Sequence, residues 1–267
     1  MRSSFPPPSP QKPKSGKLEA VLRTPASLGA EERTRMWTVL VRYYANVRHE
    51  DFAKDLAEQS EVILLVDSGD RSIQGFSTLR RIEDQGALTI LSGDTILESS
   101  YWGQRALHRA FLGIVLREKL RRPLRPVYWL LAAKSYKTYL LLARNFPRHW
   151  PRYDRPTPAR IRALMDQVAG RVFGKAYDAG RGVLARGGSR LSEGVAPLTP
   201  ELLSAPDVRF YTEQNPGHAR GEELCCLGRV SLLLPLVFQA RLLGAWLQRS
   251  RILARRVLAV ATAGLFG

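Results

Sequence analysis

Three apolar runs lie between residues 61 and 97, two turn sequences divide them, and the hydrophobic period changes just beyond. Residues 61–66 are compact and apolar, and Asp67-Ser68-Gly69-Asp70 stops them with hairpin composition. Residues 73–82 resume with β-branched and aromatic side chains around Gly75, and Asp84-Gln85-Gly86 turns the chain again. Ala87–Leu97 is the third run, with Gly93 placed for a bulge. Then Ala106, Leu107, Ala110, Phe111, Ile114 and Val115 recur at helical spacing. This predicts a helix over about 103–120, ended by Pro123 and Pro126. A strand meander feeding a long amphipathic helix points to an α/β fold.

The flanking sequence extends the pattern. Met36, Val39, Leu40, Tyr43 and Tyr44 recur at helical spacing, and residues 51–59, with Phe52 and Leu56, predict a second short helix. Residues 126–133 (PVYWLLAA) read as a buried strand, and 134–146 as a helix closed by a left-handed Asn145. Residues 156–173 predict a helix, the glycine-rich 180–198 a loop or ragged strand, and 208–213 a strand. Asn215-Pro216-Gly217-His218 is a turn, and 220–228 opens a helix. The expected organisation is therefore a proline-rich, flexible lead-in over 1–28, a main domain over 29–155, an extension over 156–228 that completes or flanks that domain, and an Arg-rich amphipathic segment over 229–267.

The joint between the third strand and the helix carries the clearest chemistry. A strand that turns into a helix through small residues leaves free backbone N–H groups at the positive end of a helix dipole, and such donors bind phosphate. Ser100, Trp102, Gly103, Gln104 and Ala106 form that turn, and Gly103 permits close backbone approach. Arg105 and Arg109 add charge-assisted contacts. Asn215 and His218, in the downstream turn, could line a second pocket for an acceptor.

Two helices, three antiparallel strands, a phosphate-type turn into a helix, then strand and helix: over about 30–147 this order resembles the GNAT superfamily of acyl-CoA-dependent acyltransferases. The resemblance implies a mixed sheet with flanking helices, here with a mostly helical basic C-terminal extension. Ala87–Leu97 would splay from 126–133, with the donor's pantetheine in the gap and its pyrophosphate on the turn. Gly75 falls where the family often has a glycine. The family's loop reads Arg/Gln-x-x-Gly-x-Gly/Ala. Aligned on Gly103, its first place is Ser100 and its last Arg105; slid by one, it holds Tyr101, Gln104 and Ala106. Aligned on Phe146, Lys134 takes the place of the family's last-helix Asn and joins the donor-binding set, and Leu141 takes that of its Tyr. That Tyr often protonates the leaving thiolate, and Tyr136 or Tyr139 would substitute for it. The acceptor's proton needs a base. Glu98, at the strand end, is the first choice and Asp94 the second. The donor implied is acyl-CoA or acyl-phosphopantetheine, with transfer to an amine or hydroxyl.

Charge then bears on partners. The chain has a net charge of +17, but residues 1–98 hold 13 Lys and Arg against 14 Asp and Glu, so the excess lies in the remainder. Such a balance points to an anionic partner. An acidic carrier protein or an anionic membrane surface fits best, and nucleic acid is the least favoured. A binding module with the fold kept and the catalytic groups lost, docked on such a membrane or protein, remains the alternative. The adjacent Cys225 and Cys226 suit a reducing compartment rather than a disulfide. No secretory pattern is visible, so a cytoplasmic protein, at most peripheral at a membrane, is expected. His49, His108, His149 and His218 show no metal-ligand spacing, and no metal is expected.

Overall fold

A computed structural model describes residues 16–84, 86–185, 190–191, 196–236 and 239. In it the meander occupies the middle of a nine-stranded mixed sheet. Along the chain the elements are β1 (Leu18–Arg23), α1 (Ala30–Tyr43), β2 (Tyr44–Ala45), α2 (His49–Ala57), β3 (Glu61–Asp67), β4 (Ile73–Asp84) and β5 (Ala87–Leu97). Next come α3 (Ala106–Arg121), β6 (Val127–Ala133), α4 (Tyr136–Asn145), β7 (His149–Trp150) and α5 (Ala159–Phe173). The chain continues through β8 (Tyr177–Asp178), β9 (Val183–Leu184), β10 (Arg190–Leu191), α6 (Pro200–Leu203), α7 (Pro206–Gln214) and β11 (Glu223–Val230). The sheet order is β1-β3-β4-β5-β6-β11-β9-β8, with β7 against β11; β2 and β10 form a separate pair.

β3 is buried along nearly its whole length because helices cover both faces of the sheet. Val62, Leu64 and Val66 pack with Met36, Val39 and Leu40 of α1 and with Phe52 and Leu56 of α2. Further along, Ile161, Met165 and Val168 of α5 pack with Leu91, Tyr128, Leu130 and Leu227. On the opposite face Phe111 of α3 stacks on Trp129 of β6 at 4.7 Å, and Trp129 meets Phe146 at 5.0 Å. Gly228 of β11 has no side chain because Leu142 and Phe146 fill its place; a Cβ there would lie 2.6 Å from one and 2.9 Å from the other.

The main helix runs over Ala106–Arg121, and the third strand occupies the expected span. Several expectations need correction. The lead-in does not extend to residue 28: Leu18–Arg23 is an edge strand antiparallel to β3, because Leu18 is buried there and its backbone completes the ladder. Residues 208–213 are helical rather than extended, since Pro206 starts α7 and Val208 and Tyr211 share one buried face. Residues 223–230 form a strand, not a helix; the run Leu224–Leu227 is buried on both faces between β6 and the helices. One compact unit runs to Val230, and residues 231–267 are assigned to a second. Asn145 is the last helical residue, capped by an extended Phe146, rather than a left-handed closure. Residues 1–15 and most of 229–267 lie outside the described residues.

The feature that positions the site is the partnership of β5 and β6. They run parallel from Leu88↔Val127 to Ser92↔Leu131 and then separate. β5 continues on β4 through Thr95↔Ser77, Ile96↔Phe76 and Leu97↔Gly75. β6 continues on β11 through Ala132↔Cys225 and Ala133↔Leu224. The register of β4 and β5 shifts between Leu79↔Ser92 and Ser77↔Thr95, so Gly93 and Asp94 share one partner, Thr78. This is a bulge, which bends and twists the strand that carries it. A Cβ on Gly93 would sit 2.4 Å from the Thr78 hydroxyl.

Gly75 meets the same strand more tightly: its Cβ would lie 2.4 Å from the Ile96 carbonyl oxygen and 2.9 Å from Leu97 Cα. Backbone cannot give way as a side-chain tip can. Gly75→Ala should therefore lower stability by about 1–3 kcal/mol. Urea unfolding of the variant beside the parent measures this, and an unchanged midpoint would contradict the packing described.

Candidate active site

The turn after β5 is held from behind by side chains. Residues Ser99–Tyr101 form a single 3-10 turn. Tyr101 is buried and its hydroxyl donates to Asp67 at the end of β3. Trp102 is 53% exposed, and its indole N–H donates to the Leu97 carbonyl at 2.8 Å. Gln104 reaches to the start of the chain's first strand: its Oε1 accepts from Leu18 N–H at 2.8 Å and its Nε2 donates to Gly16 O at 3.1 Å. Gly103 has φ +90°, a left-handed conformation, with open space where a Cβ would be.

These anchors leave the start of α3 uncommitted. No side chain caps the helix; Arg105 is its N-cap residue and Ala106 is buried at its first position. The first-turn N–H groups of a helix have no intrahelical partner, so they point outward with the positive end of the dipole. Arg105 and Arg109 are exposed on this turn, and no ion pair of theirs occurs among the described residues. His108 beside them has its pKa lowered, first by burial and then by the Arg105 charge. Lys137, at the start of α4, places its ammonium 5.4 Å above the Trp102 ring, across the mouth between the two strands.

Glu98 is buried and both of its carboxylate oxygens are engaged. Oε1 accepts from Arg42 Nη1 at 2.5 Å and from Arg35 Nη2 at 3.5 Å. Oε2 accepts from the Tyr43 hydroxyl at 3.1 Å, and that hydroxyl accepts from Ser99 N–H at 2.7 Å. Burial, and the Glu98 charge after it, raise the Tyr43 pKa. Glu98 thus ties the end of β5 to α1.

Asp94 lies on the bulge, where β5 leaves β6, and its charge acts on Tyr44. Lys134 follows the last residue of β6; its ammonium lies 3.5 Å from Glu223 of β11 and 4.8 Å from the centre of the Tyr44 ring. The Tyr44 hydroxyl pKa is raised, first by burial and then by the negative charges of Asp94 and Glu223. Asp94, Tyr44, Lys134 and Glu223 are therefore electrostatic neighbours. Tyr44 and Glu223 escape the sequence reading. Tyr44 continues the apolar stripe of α1 and looks like core, while Glu223 falls in a stretch expected to be helical.

The two tyrosines expected to supply a proton are placed in the core. The Tyr136 hydroxyl donates to Pro197 O at 3.2 Å. Tyr139 is fully buried, donates to Pro151 O at 3.2 Å and has its pKa raised by burial. Asn215 is also fully buried. Its Nδ2 donates to Glu222 O at 2.9 Å, whereas its Oδ1 has no partner among the described residues. His218 stands near Tyr211, ring centres 6.0 Å apart, with a pKa lowered by burial. Tyr211 donates to Ala133 O at 3.1 Å, which links this turn to the end of β6. Among the described residues no group of His, Cys, Asp or Glu could hold a metal ion. Both cysteines are buried and neither is in a disulfide.

Two outcomes follow from these contacts. Glu98→Gln should cost about 1–3 kcal/mol, since two guanidinium groups lose a charged acceptor; denaturant unfolding measures it, and equal stability would refute the tie to α1. The Asp67 carboxyl is held below its ordinary pKa, first by the Tyr101 hydroxyl and then by Gly69 N–H. A depressed carboxylate stabilises above its unfolded pKa of about 3.9 and loses that contribution as pH falls through and below it. Tyr101→Phe should thus lower the melting temperature at pH 7, with the gap to the parent closing between about pH 5 and pH 2. A gap independent of pH would argue against the pairing.

No family model matches the sequence, and no curated protein matches it. Solved structures do resemble the chain. An acyl-CoA N-acyltransferase from Pseudomonas aeruginosa is 16% identical with a TM-score of 0.33, over 43% of this chain and 79% of that one. A GNAT-family acetyltransferase from Bacillus anthracis is 9% identical with a TM-score of 0.37, over 52% and 86%. The ribosomal-protein-S18-alanine N-acetyltransferase from Escherichia coli is 18% identical with a TM-score of 0.33, over 52% and 84%. The chain itself has an antiparallel β3-β4-β5 run, a parallel β5-β6 pair that opens past Ser92, and a turn from β5 into α3, which is the mixed-sheet arrangement that the sequence resemblance implies.

Proposed function

We propose that the gap between β5 and β6 receives the acyl thioester of a phosphopantetheine arm and that the protein transfers the acyl group to an amine or hydroxyl. The observation that supports this is the separation of the two strands beyond Ser92 and Leu131, next to an uncapped helix N-terminus. The pantetheine amides would pair with backbone that β5 and β6 no longer share. The pyrophosphate would meet the first-turn N–H groups of α3, with Arg105 and Arg109 adding charge-assisted contacts. The donor supplies an activated acyl carbonyl, and freed β5 N–H groups would polarise it. We assign Asp94 the proton of the attacking acceptor and Lys134 the proton required by the departing sulfur. Glu98 in this scheme holds β5 and α1 in place, and Asn215 and His218 face the acceptor side beyond Ala133. The donor is acyl-CoA or an acyl carrier protein, whose acidic surface would suit the basic second part of the chain.

One observation favours a second reading. Glu98 and Tyr139, two of the expected catalytic groups, spend their polar atoms on internal contacts. A module that binds the thioester without transferring it would look the same.

Thermal melting with CoA, acetyl-CoA, a long-chain acyl-CoA and an acyl carrier protein, followed by assay of thiol release, separates the two. A donor at a hundredfold excess over its Kd should raise the melting temperature by about 5 °C or more. Arg105→Ala with Arg109→Ala should weaken binding about tenfold or more. Asp94→Asn should keep the donor shift and lower transfer by roughly 10²- to 10⁴-fold. A shift without thiol release would establish the binding module, and no shift with any donor would overturn both readings.

A further inference from the structure

The end of the sheet away from the gap carries a different chemistry. There β5 and β6 begin, α3 ends, and β11 finishes at Val230 paired with Val127. Leu120, in the last turn of α3, is 64% exposed, and Leu124, in the following loop, is 98% exposed. The loop has a fixed shape. The Lys119 ammonium donates to the carbonyls of Pro123 at 2.8 Å and Arg125 at 2.9 Å, and Pro123 and Pro126 stiffen the backbone. Leu124 is thus held out in water by an ordered turn, so its later burial costs little conformational entropy.

The surroundings are cationic. Arg121, Arg122 and Arg125 flank the two leucines, and Arg229 is close enough for its charge to lower the Lys119 pKa, after burial. The acids at this end pair with these same guanidinium groups and Arg81, which together outnumber them. Glu83 is held by Arg122 at 2.8 Å and Arg125 at 3.1 Å. Glu118 is held by Arg81 at 3.3 Å and Arg121 at 3.5 Å. Asp84, at the β4-β5 hairpin, is the third acid at this end. β11 ends here at Val230.

Two exposed leucines on one loop, flanked by Arg121, Arg122 and Arg125, offer far less apolar surface than the about 800 Å² per partner that a stable protein interface buries. It does suit a bilayer, where apolar tips enter the headgroup boundary and cations meet lipid phosphate. We propose that the α3-β6 loop, led by Leu120 and Leu124, docks this end of the protein on an anionic lipid surface. The proposal is independent of the transferase reading.

The full chain, mixed with vesicles of phosphatidylcholine containing about one third phosphatidylglycerol, should sediment with them, less so as salt rises, and should leave pure phosphatidylcholine vesicles largely unbound. Leu120→Ser combined with Leu124→Ser touches no core residue, and its melting curve verifies the fold. It should weaken vesicle binding about tenfold or more. Because Cys225 and Cys226 are buried, an environment-sensitive dye on Leu124→Cys reports on the loop alone, and its emission should shift to the blue only with the anionic vesicles. Vesicle binding unchanged in the double variant, or no blue shift, overturns the assignment. So does a parent dimer that the double variant dissociates, since the tip would then meet a second copy.

Discussion

Thr78 of β4 faces two residues of β5, Gly93 and Asp94, and the sheet must absorb the surplus. It does so by turning β5 away from its parallel neighbour directly after Ser92↔Leu131. Everything proposed for the gap depends on that turn. Without it β5 and β6 would pair to their ends, and the backbone groups available to a ligand would be consumed by the ladder. The same irregularity carries Asp94, whose charge acts on the Tyr44 hydroxyl. Gly93 makes it feasible, because a side chain there would collide with Thr78. A backbone defect thus creates both the space and the charge cluster beside it.

The turn beyond β5 shows a division of work between side chain and backbone. Tyr101 and Gln104 face inward and bind β3 and β1, while the start of α3 faces outward with its N–H groups unspent. That arrangement explains how a loop with little likeness to a glycine-rich phosphate pattern could still serve one. Phosphate is bound by backbone donors and a dipole, which do not depend on side-chain identity once the loop is fixed. Glycines save space, and here only Gly103 is needed for the left-handed residue.

The sequence made the central architecture legible because local signals agreed with one another. Turn residues, β-branched runs and the change of period at Ala106 all favoured the same elements, and each came out within a few residues. The C-terminal strand was not legible. ELCCLGRV is buried on both faces, so it shows no alternation, and a short apolar run beside a turn can open either a helix or a strand. Leu18–Arg23 was hidden for a different reason: a proline-rich neighbourhood lowered its strand signal, and only its pairing with β3 makes it one. The site divided in the same way. Ser100 to Arg109 are neighbours in sequence, so they could be singled out there as one candidate loop. Tyr44 and Glu223 are joined to Lys134 only by tertiary structure.

The grip of Gln104 on Leu18 and Gly16 couples an edge strand to the loop that follows β5. Edge strands open at lower free energy than central ones, so β1 would exchange its amide protons ahead of the sheet centre. Any ligand that steadies the loop then also steadies Gln104, and through it the amides of β1, by reciprocal linkage. β1 becomes a reporter of events at α3, more than eighty residues later in sequence. A proteolytic cut near Lys17 would in turn loosen the loop without touching any group that meets the ligand.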